Sequence, residues 1–207
     1  MLIEIHPHNP DLRKLKIAVD ILNAGGIIIY PTDSVYAVGC LLNQSKALEN
    51  LSKFKNVKPQ KSNFSIICYD LSNISEYARN IENNIFKIMK KALPGPYTFI
   101  LNASSKIPSY FNANKKTIGI RVPDNRIVHE IVKACNVPLV TTSLHDDEDN
   151  FLEYHTDAEL IHEKYGNQVQ LVINGGIGNI EPTTIIDCTL GTPELIREGK
   201  GSVENLF

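Results

Sequence analysis

Two kinds of hydrophobic pattern alternate along this chain. Residues 27–30 form a continuous apolar run rich in isoleucine, which predicts a buried strand. Before this run, apolar residues recur at helical spacing, and Asn9-Pro10-Asp11 predicts the helix start, with asparagine as the cap and proline in the first turn. Gly25-Gly26 predicts the end of that helix. The apolar positions that define it are Leu12, Leu15, Val19 and Leu22.

The alternation of helical and strand patterns continues along the rest of the chain. Helical spacing predicts helices that begin near residue 45, run through 81–92 and follow residue 124, and a capping-box spacing at 156–159 predicts another. Some neighbouring strands have no helix between them, so we predict one α/β domain over residues 1–207 with a mixed sheet flanked by helices. The further predicted strands cover residues 64–69, 97–101, 117–122, 137–142, 169–173, 184–188 and 195–197.

Composition and charge exclude several classes of protein. Hydrophobic residues make up 43% and charged residues 21% of the 207 residues, which is typical of a folded globular protein and excludes a disordered one. No segment approaches the roughly 18 apolar residues of a membrane span. The N-terminal segment lacks the pattern of a signal peptide, and four dispersed cysteines favour reduced, buried thiols. We therefore predict a cytoplasmic protein without membrane association.

The candidate chemistry lies at predicted strand ends, where ligands collect in α/β sheets. Directly after the first buried strand, Thr32, Ser34 and Tyr36 supply hydroxyl groups, although a polar turn would explain the same residues. A second group of residues, Lys53, Lys55, Lys58 and Lys61, has the charge to hold a triphosphate or an RNA backbone. The simpler alternative for these lysines is a solvated helix end. The net charge of -2 gives no general attraction to nucleic acid.

Four later strands also deliver polar groups. Arg121 stands among apolar residues and needs an anionic partner, which is either an acidic side chain or a ligand. Ser143, Thr183 and Arg197 stand at or beside the ends of other strands. Residues 145–150 are expected to form an exposed acidic loop, not a metal site, and no GxSxG motif or local cysteine–histidine pair favours a nucleophilic enzyme.

The ordered set of motifs resembles the YrdC-like family, in particular its YciO-like branch. The resemblance covers about residues 15–202, and it implies a twisted open α/β sheet with a concave, positively lined groove. It also implies condensation of L-threonine, bicarbonate and ATP to threonylcarbamoyl-AMP, with release of pyrophosphate and with Mg²⁺ accompanying ATP. That product is the precursor of a tRNA modification. The motifs that carry the resemblance are residues 26–36, 94–98, 119–123, 142–143, 182–187 and 197–199.

The resemblance assigns expected roles to individual residues. Thr32, Tyr36, Arg121 and Thr183 match substrate-binding positions; Thr32 and Tyr36 are expected to face the threonine, and Arg121 and Thr183 to line the pocket. Lys55 matches the lysine of a lysine-x-arginine motif; Lys55 and the neighbouring Lys58 are expected to act in catalysis, and Lys55 also to bind the nucleotide. Ser143 matches the serine of a serine-x-asparagine motif, and Arg197 matches an arginine that reaches the phosphates; both are expected to bind the nucleotide.

The chain also departs from the family pattern. Val57 replaces the arginine of the lysine-x-arginine motif, and Lys58 lies one position away without the bidentate geometry of a guanidinium. Asn63 replaces a histidine, and His145 replaces the asparagine of the serine-x-asparagine motif. These changes leave open an alternative function, a weakly catalytic or non-catalytic protein that binds nucleotides, tRNA or double-stranded RNA.

Overall fold

A computed structural model describes residues 1–58, 63–112, 116–146, 153–204 and 206–207. Strands and helices alternate along this part of the chain as the hydrophobic pattern predicts. The strands are β1 (Leu2–Glu4), β2 (Ile28–Tyr30), β3 (Ala37–Leu41), β4 (Ser65–Ile67), β5 (Tyr97–Asn102), β6 (Thr117–Arg121), β7 (Leu139–Ser143), β8 (His145–Asp146), β9 (Glu153–Tyr154), β10 (Leu171–Asn174), β11 (Thr184–Asp187) and β12 (Glu194–Arg197). The helices are α1 (Leu12–Asn23), α2 (Ser45–Phe54), α3 (Leu71–Tyr77), α4 (Asn83–Ala92), α5 (Ser109–Asn112), α6 (Arg126–Cys135) and α7 (Ala158–Tyr165).

Ten of these strands form one open mixed sheet, which confirms the predicted fold class. Its order is β1-β10-β2-β3-β7-β4-β6-β5-β11-β12, and β8 pairs separately with β9. Strands β4 and β6 run parallel, whereas β3 and β4 both run antiparallel to β7. The mixture follows from the connections, because β2 and β3 are joined by a short loop and need no crossover helix.

Helices pack on both faces of the sheet. On one face, α1 and α6 contribute Leu15, Leu22 and Ile131 to a buried cluster that includes Ile67 and Leu139 of the central strands. A larger cluster on the opposite face includes residues of α2, α4 and α7. Successive residues of a strand point to opposite faces, so the apolar run of β2 and the two apolar residues of β7, Leu139 and Val140, supply both clusters.

The structure corrects several local predictions. Strand β3 was not predicted, since residues 31–39 were interpreted as a polar turn, yet all five residues of β3 are buried. The first helix is capped by Asp11, not Asn9, and its carboxylate accepts hydrogen bonds from the backbone N–H groups of Arg13 and Lys14. The last helix is capped by Asp157, not Thr156. No described helix has the length and apolar character needed to cross a membrane.

Candidate functional site

A polar cavity of about 320 Å³ lies over the central strands, on the face that α1 and α6 cover only in part. Ile67 and Leu139 pack in the cluster with these helices, whereas Ser65 and Thr141, two residues away on the same strands, face the cavity. The uncovered part of the face is therefore lined mainly by hydroxyl groups and arginines. The cavity residues are Ser34, Val35, Asn63, Ser65, Thr98, Arg121, Thr141, Thr142, Ser143, Pro182, Thr183, Ile185 and Arg197.

Arg121 is buried at the end of β6 and is only partly satisfied by the protein. Its Nη2 atom donates to Asp33 Oδ1 at 3.0 Å and to Ser34 Oγ at 3.1 Å. Within the described residues, its buried Nε atom has no hydrogen-bond partner. Burial lowers the pKa of the guanidinium, and the neighbouring Asp33 carboxylate opposes that shift. The acidic partner expected for Arg121 is therefore present.

Hydroxyl groups on neighbouring strands are held in defined orientations. Tyr30 donates a 2.7 Å hydrogen bond to Thr141 Oγ1, which leaves the Thr141 hydroxyl able to donate elsewhere. Burial raises the pKa of Tyr30, so its phenol stays protonated as a donor. The Thr98 and Thr183 hydroxyls lie 2.9 Å apart. These contacts fix the orientation of uncharged hydrogen-bond donors and acceptors on the floor of the cavity.

Arg197, the last residue of β12, adds a second cation to the cavity, and Lys200 follows it in the sequence. Arg197 donates to the Thr183 carbonyl oxygen through Nε at 3.3 Å and Nη2 at 2.9 Å. Lys200 Nζ donates to the carbonyl oxygen of Asp33, which joins this segment to the loop after β2. Among the described residues, the charged side chains that line the cavity are those of Arg121 and Arg197, so this end of the groove has a positive charge.

The lysines predicted to bind phosphate separate into two groups. Lys55 is half-buried at the end of α2, and its Nζ atom lies 3.5 Å from the carbonyl oxygen of His145, next to Ser143. Lys53 and Lys58 are exposed, and Lys61 lies outside the described residues. Lys55 is thus the lysine in this segment for which the structure shows a contact beside the cavity.

Thr32 and Tyr36 lie near the cavity but make contacts within the protein. The Thr32 hydroxyl donates to the Val35 carbonyl oxygen at 2.7 Å and accepts from Ser34 N–H at 3.1 Å. The Tyr36 hydroxyl donates to the Gly176 carbonyl oxygen at 2.7 Å and accepts from Gly175 N–H. Both hydroxyls therefore shape loops around the site, and their expected contact with threonine stays a prediction.

The structure brings four predicted residues together and adds others that sequence reasoning missed. Arg121, Ser143, Thr183 and Arg197 all line the cavity although they come from different elements. Ser65 was missed, and Thr98 and Thr141 were given no role of their own, although all three line the cavity. Their common sequence feature is a small hydroxyl side chain in or beside an otherwise apolar strand, which marks a strand face that is not covered by a helix.

A second cavity of about 320 Å³ continues the groove toward β5 and β6. It shares Asn63, Ser65, Thr98 and Ile185 with the polar cavity, so the two form one groove. This arm is more apolar, and Gly119 leaves space along its floor. Its aliphatic and aromatic lining consists of Phe64, Ile100, Phe111, Ile118, Ile185 and Ile196.

Comparison with known proteins adds to this geometry. The Sua5/YciO/YrdC family model, described as "Telomere recombination", matches residues 20–199. The uncharacterized protein YciO of Escherichia coli is 41% identical over 201 residues, which cover 97% of this chain and 96% of YciO. Its crystal structure superimposes with a TM-score of 0.90 and covers 100% of this chain and 99% of that chain.

Two further relatives carry functional descriptions of their own. The threonylcarbamoyl-AMP synthase of Neisseria gonorrhoeae is 31% identical over 181 residues, which cover 86% of this chain and 92% of the synthase. A crystal structure of P. abyssi Sua5 complexed with L-threonine matches 96% of this chain and 57% of that chain, with a TM-score of 0.86. At 22% identity, the Sua5 structure shows the similarity of the fold alone.

Proposed function

This chain belongs to the Sua5/YciO/YrdC family, and from that premise we propose that it condenses L-threonine, bicarbonate and ATP to threonylcarbamoyl-AMP with release of pyrophosphate. The sequence similarity to a threonylcarbamoyl-AMP synthase supports this reaction over other reactions of an ATP-binding groove. The product would enter the synthesis of threonylcarbamoyladenosine in tRNA.

The observation that carries the proposal is that Arg121 lines the same cavity as Ser143, Thr183 and Arg197, so that two guanidinium groups and several hydroxyl groups surround one space. The α-carboxylate of L-threonine is a planar anion that suits a guanidinium. We therefore assign Arg121 to the amino acid, with Thr183 beside it.

The remaining polar groups suit a nucleotide. Arg197 lines the cavity and Lys55 lies beside Ser143 and His145 at its edge, so both can supply the positive charge that a triphosphate needs. The apolar arm of the groove, between Ile118 and Ile196, offers a surface for a purine base. We assign Ser143, Lys55 and Arg197 to the nucleotide on this basis.

The proposed chemistry needs positioning and neutralisation of charge. The threonine amine attacks carbon dioxide to give a carbamate, and a carbamate oxygen then attacks the α-phosphate while pyrophosphate leaves. Fixed cations stabilise the charge on the phosphate oxygens during this displacement. Mg²⁺ enters as part of the ATP substrate complex, and the described residues include no group of three or more His, Cys, Asp or Glu side chains that could hold a metal.

The test is incubation of the purified protein with ATP, L-threonine, bicarbonate and Mg²⁺, with pyrophosphate and the adenylate followed by mass spectrometry. We expect threonine-dependent product from the unmodified protein and its loss in Lys55→Ala. Arg121→Lys keeps the charge but not the fork geometry, so we expect a raised KM for threonine. A protein that binds ATP but forms no product would contradict the proposal.

RNA binding is a second candidate, favoured by the exposure of Lys53 and Lys58. Exposed lysines near a groove would contact phosphates without reading sequence. We expect such binding to weaken steeply with salt and in the double variant Lys53→Glu, Lys58→Glu. Gel-shift titration with tRNA and double-stranded RNA at two salt concentrations measures both effects, and salt-independent binding would oppose this candidate.

A further inference from the structure

Ser143 and His145 form a hydrogen-bonded pair at the edge of the cavity. The distance from Ser143 Oγ to His145 Nδ1 is 3.2 Å, and both residues are half-buried. Residues two apart on an extended chain point to the same side, which explains why the two side chains meet. A serine hydroxyl within reach of an imidazole nitrogen has the arrangement of a nucleophile and its general base.

The backbone between the two residues holds the pair in place. Leu144 is buried with 1% exposure, and its N–H donates to the Tyr36 carbonyl oxygen at 2.9 Å. Ser143 pairs with Ala37 of β3, and His145 pairs with Tyr154 of β9. The prediction of an exposed loop is therefore wrong for His145, while residues 147–150 of that loop lie outside the described residues.

The pair is adjacent to the charges that the proposed adenylate requires. Ser143 lines the same cavity as Arg121 and Arg197, and Lys55 Nζ lies 3.5 Å from the His145 carbonyl oxygen. In a carbamoyl-adenylate, one bridging oxygen joins the carbonyl carbon to the phosphorus. When these cations hold the phosphate, the carbonyl carbon lies in the same cavity as the Ser143 hydroxyl.

His145 also changes the chemistry available at this position. The family pattern has asparagine there, and an amide side chain does not accept a proton at neutral pH. An imidazole exchanges protons near neutral pH and serves as a general base. The substitution therefore supplies a proton acceptor to a serine that would otherwise only donate a hydrogen bond to a phosphate.

We propose that the Ser143–His145 pair hydrolyses the carbamoyl-adenylate formed or bound in this cavity. The inference rests on the proposed function for the identity of the adenylate. His145, with its proton on Nε2, accepts the Ser143 proton at Nδ1 as Ser143 Oγ attacks the carbamoyl carbon. The bond from that carbon to the phosphate oxygen breaks, and AMP leaves as the phosphate monoester.

Water completes the reaction. His145 gives its first proton to the phosphate of the departing AMP, then takes a proton from the attacking water at Nδ1 and donates it to Ser143 Oγ as the carbamoyl–serine bond breaks. The released N-carboxythreonine decomposes to threonine and carbon dioxide after protonation. One water is consumed, AMP, threonine and carbon dioxide are produced, and no oxidant or reductant is needed.

The experiment supplies threonylcarbamoyl-AMP prepared with the Neisseria gonorrhoeae synthase, so its result does not depend on synthesis by this chain. We expect AMP release well above the protein-free rate. Ser143→Ala and His145→Asn should each lower that excess rate by about 10²-fold or more, the effect of losing a general base or its nucleophile. Ser143→Cys should trap a threonylcarbamoyl adduct, located by mass spectrometry of the intact and digested protein.

His162→Asn, a substitution of a histidine on α7, is the matched control and should keep the wild-type rate. Thermal melting of every variant separates lost chemistry from lost folding. AMP release at the protein-free rate overturns the inference, and so does a rate that either Ser143→Ala or His145→Asn leaves unchanged. If the supplied adenylate is hydrolysed but never synthesised, the proposed synthase function fails while this inference stands.

Discussion

Arg121 and Asp33 form a buried ion pair in which Nη2 and Oδ1 are 3.0 Å apart and each side chain is 7% exposed. The second oxygen of Asp33 accepts a 2.8 Å hydrogen bond from the backbone N–H of Asp124. One carboxylate therefore joins the loop after β2 to the end of β6. It also balances the charge of the Arg121 guanidinium, which would otherwise be buried without an ionic partner.

Removal of the Asp33 carboxylate should destabilise the protein strongly. Asp33→Ala leaves the buried Arg121 charge without its partner, and breaking a buried pair costs about 3–5 kcal/mol. Asp33→Asn keeps the shape and an acceptor for Asp124 N–H, so we expect a smaller loss. Urea unfolding measures both free energies, and equal stability of Asp33→Ala and the wild type would contradict this account of the pair.

Lys55 and Lys58 provide a matched comparison within one lysine-rich segment. Lys55 contacts the site through the carbonyl oxygen of His145, whereas Lys58 is exposed. We expect Lys55→Ala to lower the rate of synthesis by about tenfold or more. A hydrogen bond from a cation to a phosphate contributes about 1.5–3 kcal/mol, and about 1.4 kcal/mol corresponds to a factor of ten in rate. Lys58→Ala should stay within about twofold, because exposed charges act weakly through water. Pyrophosphate release measures both, and an equal loss would show that the segment acts only through its total charge.

Gly119 has no side chain, and this leaves space along the floor of the second, more apolar cavity. A Cβ atom at this position would collide with Ser65 Oγ and lie 3.3 Å from Thr98 Cγ2. Gly119→Ala should therefore push the Ser65 side chain into the groove, weaken ATP binding and cost about 1–3 kcal/mol of stability.

The double variant Gly119→Ala, Ser65→Ala tests the cause of that loss. Removal of Ser65 Oγ should restore most of the stability, and the two substitutions should be strongly non-additive because the atoms are in contact. Calorimetric titration with ATP and thermal melting measure the two effects. Additive losses would show that Ser65 is not the atom displaced by the new methyl group.

The buried cysteines Cys40 and Cys188 should be unreactive while the protein is folded. Burial raises the pKa of Cys40 and Cys188 from the usual 9.0 to about 12, which keeps both thiols protonated at pH 8. We expect iodoacetamide to modify them at pH 8 only after denaturation. Rapid modification of either thiol in the native protein would contradict this burial.

The same shifts predict a pH dependence of stability. Above pH 9 the unfolded chain ionises these thiols while the folded chain keeps them protonated, so this contribution to stability falls as pH rises from 9 toward 12. Cys40→Ala should flatten that fall in urea unfolding midpoints between pH 8 and 10.5, despite a lower stability overall. An unchanged slope would indicate that Cys40 does not contribute to it.

Hydrophobic pattern was sufficient to predict most of the fold. The apolar runs of β2 and β7 and the helical spacing in α1, α2 and α6 are local features, and each element forms where its pattern predicts it. Strand β3 was missed because Pro31, Thr32 and Ser34 gave the beginning of its segment a turn-like composition. A strand of five buried residues is stabilised by pairing on both sides, which a local pattern does not reveal.

The candidate site, like the fold, was predicted from the sequence only in part. The sequence by itself determined the α/β class, the family and the presence of Arg121, Ser143, Thr183 and Arg197 at strand ends. Only the tertiary structure decided that Arg121 pairs with Asp33 and that Lys55 lies beside the site while Lys58 is exposed. The alternation of a strand repeats every two residues and is visible in the sequence. Ion pairs and cavities depend on distances between segments that lie far apart in the sequence, and the tertiary structure sets those distances.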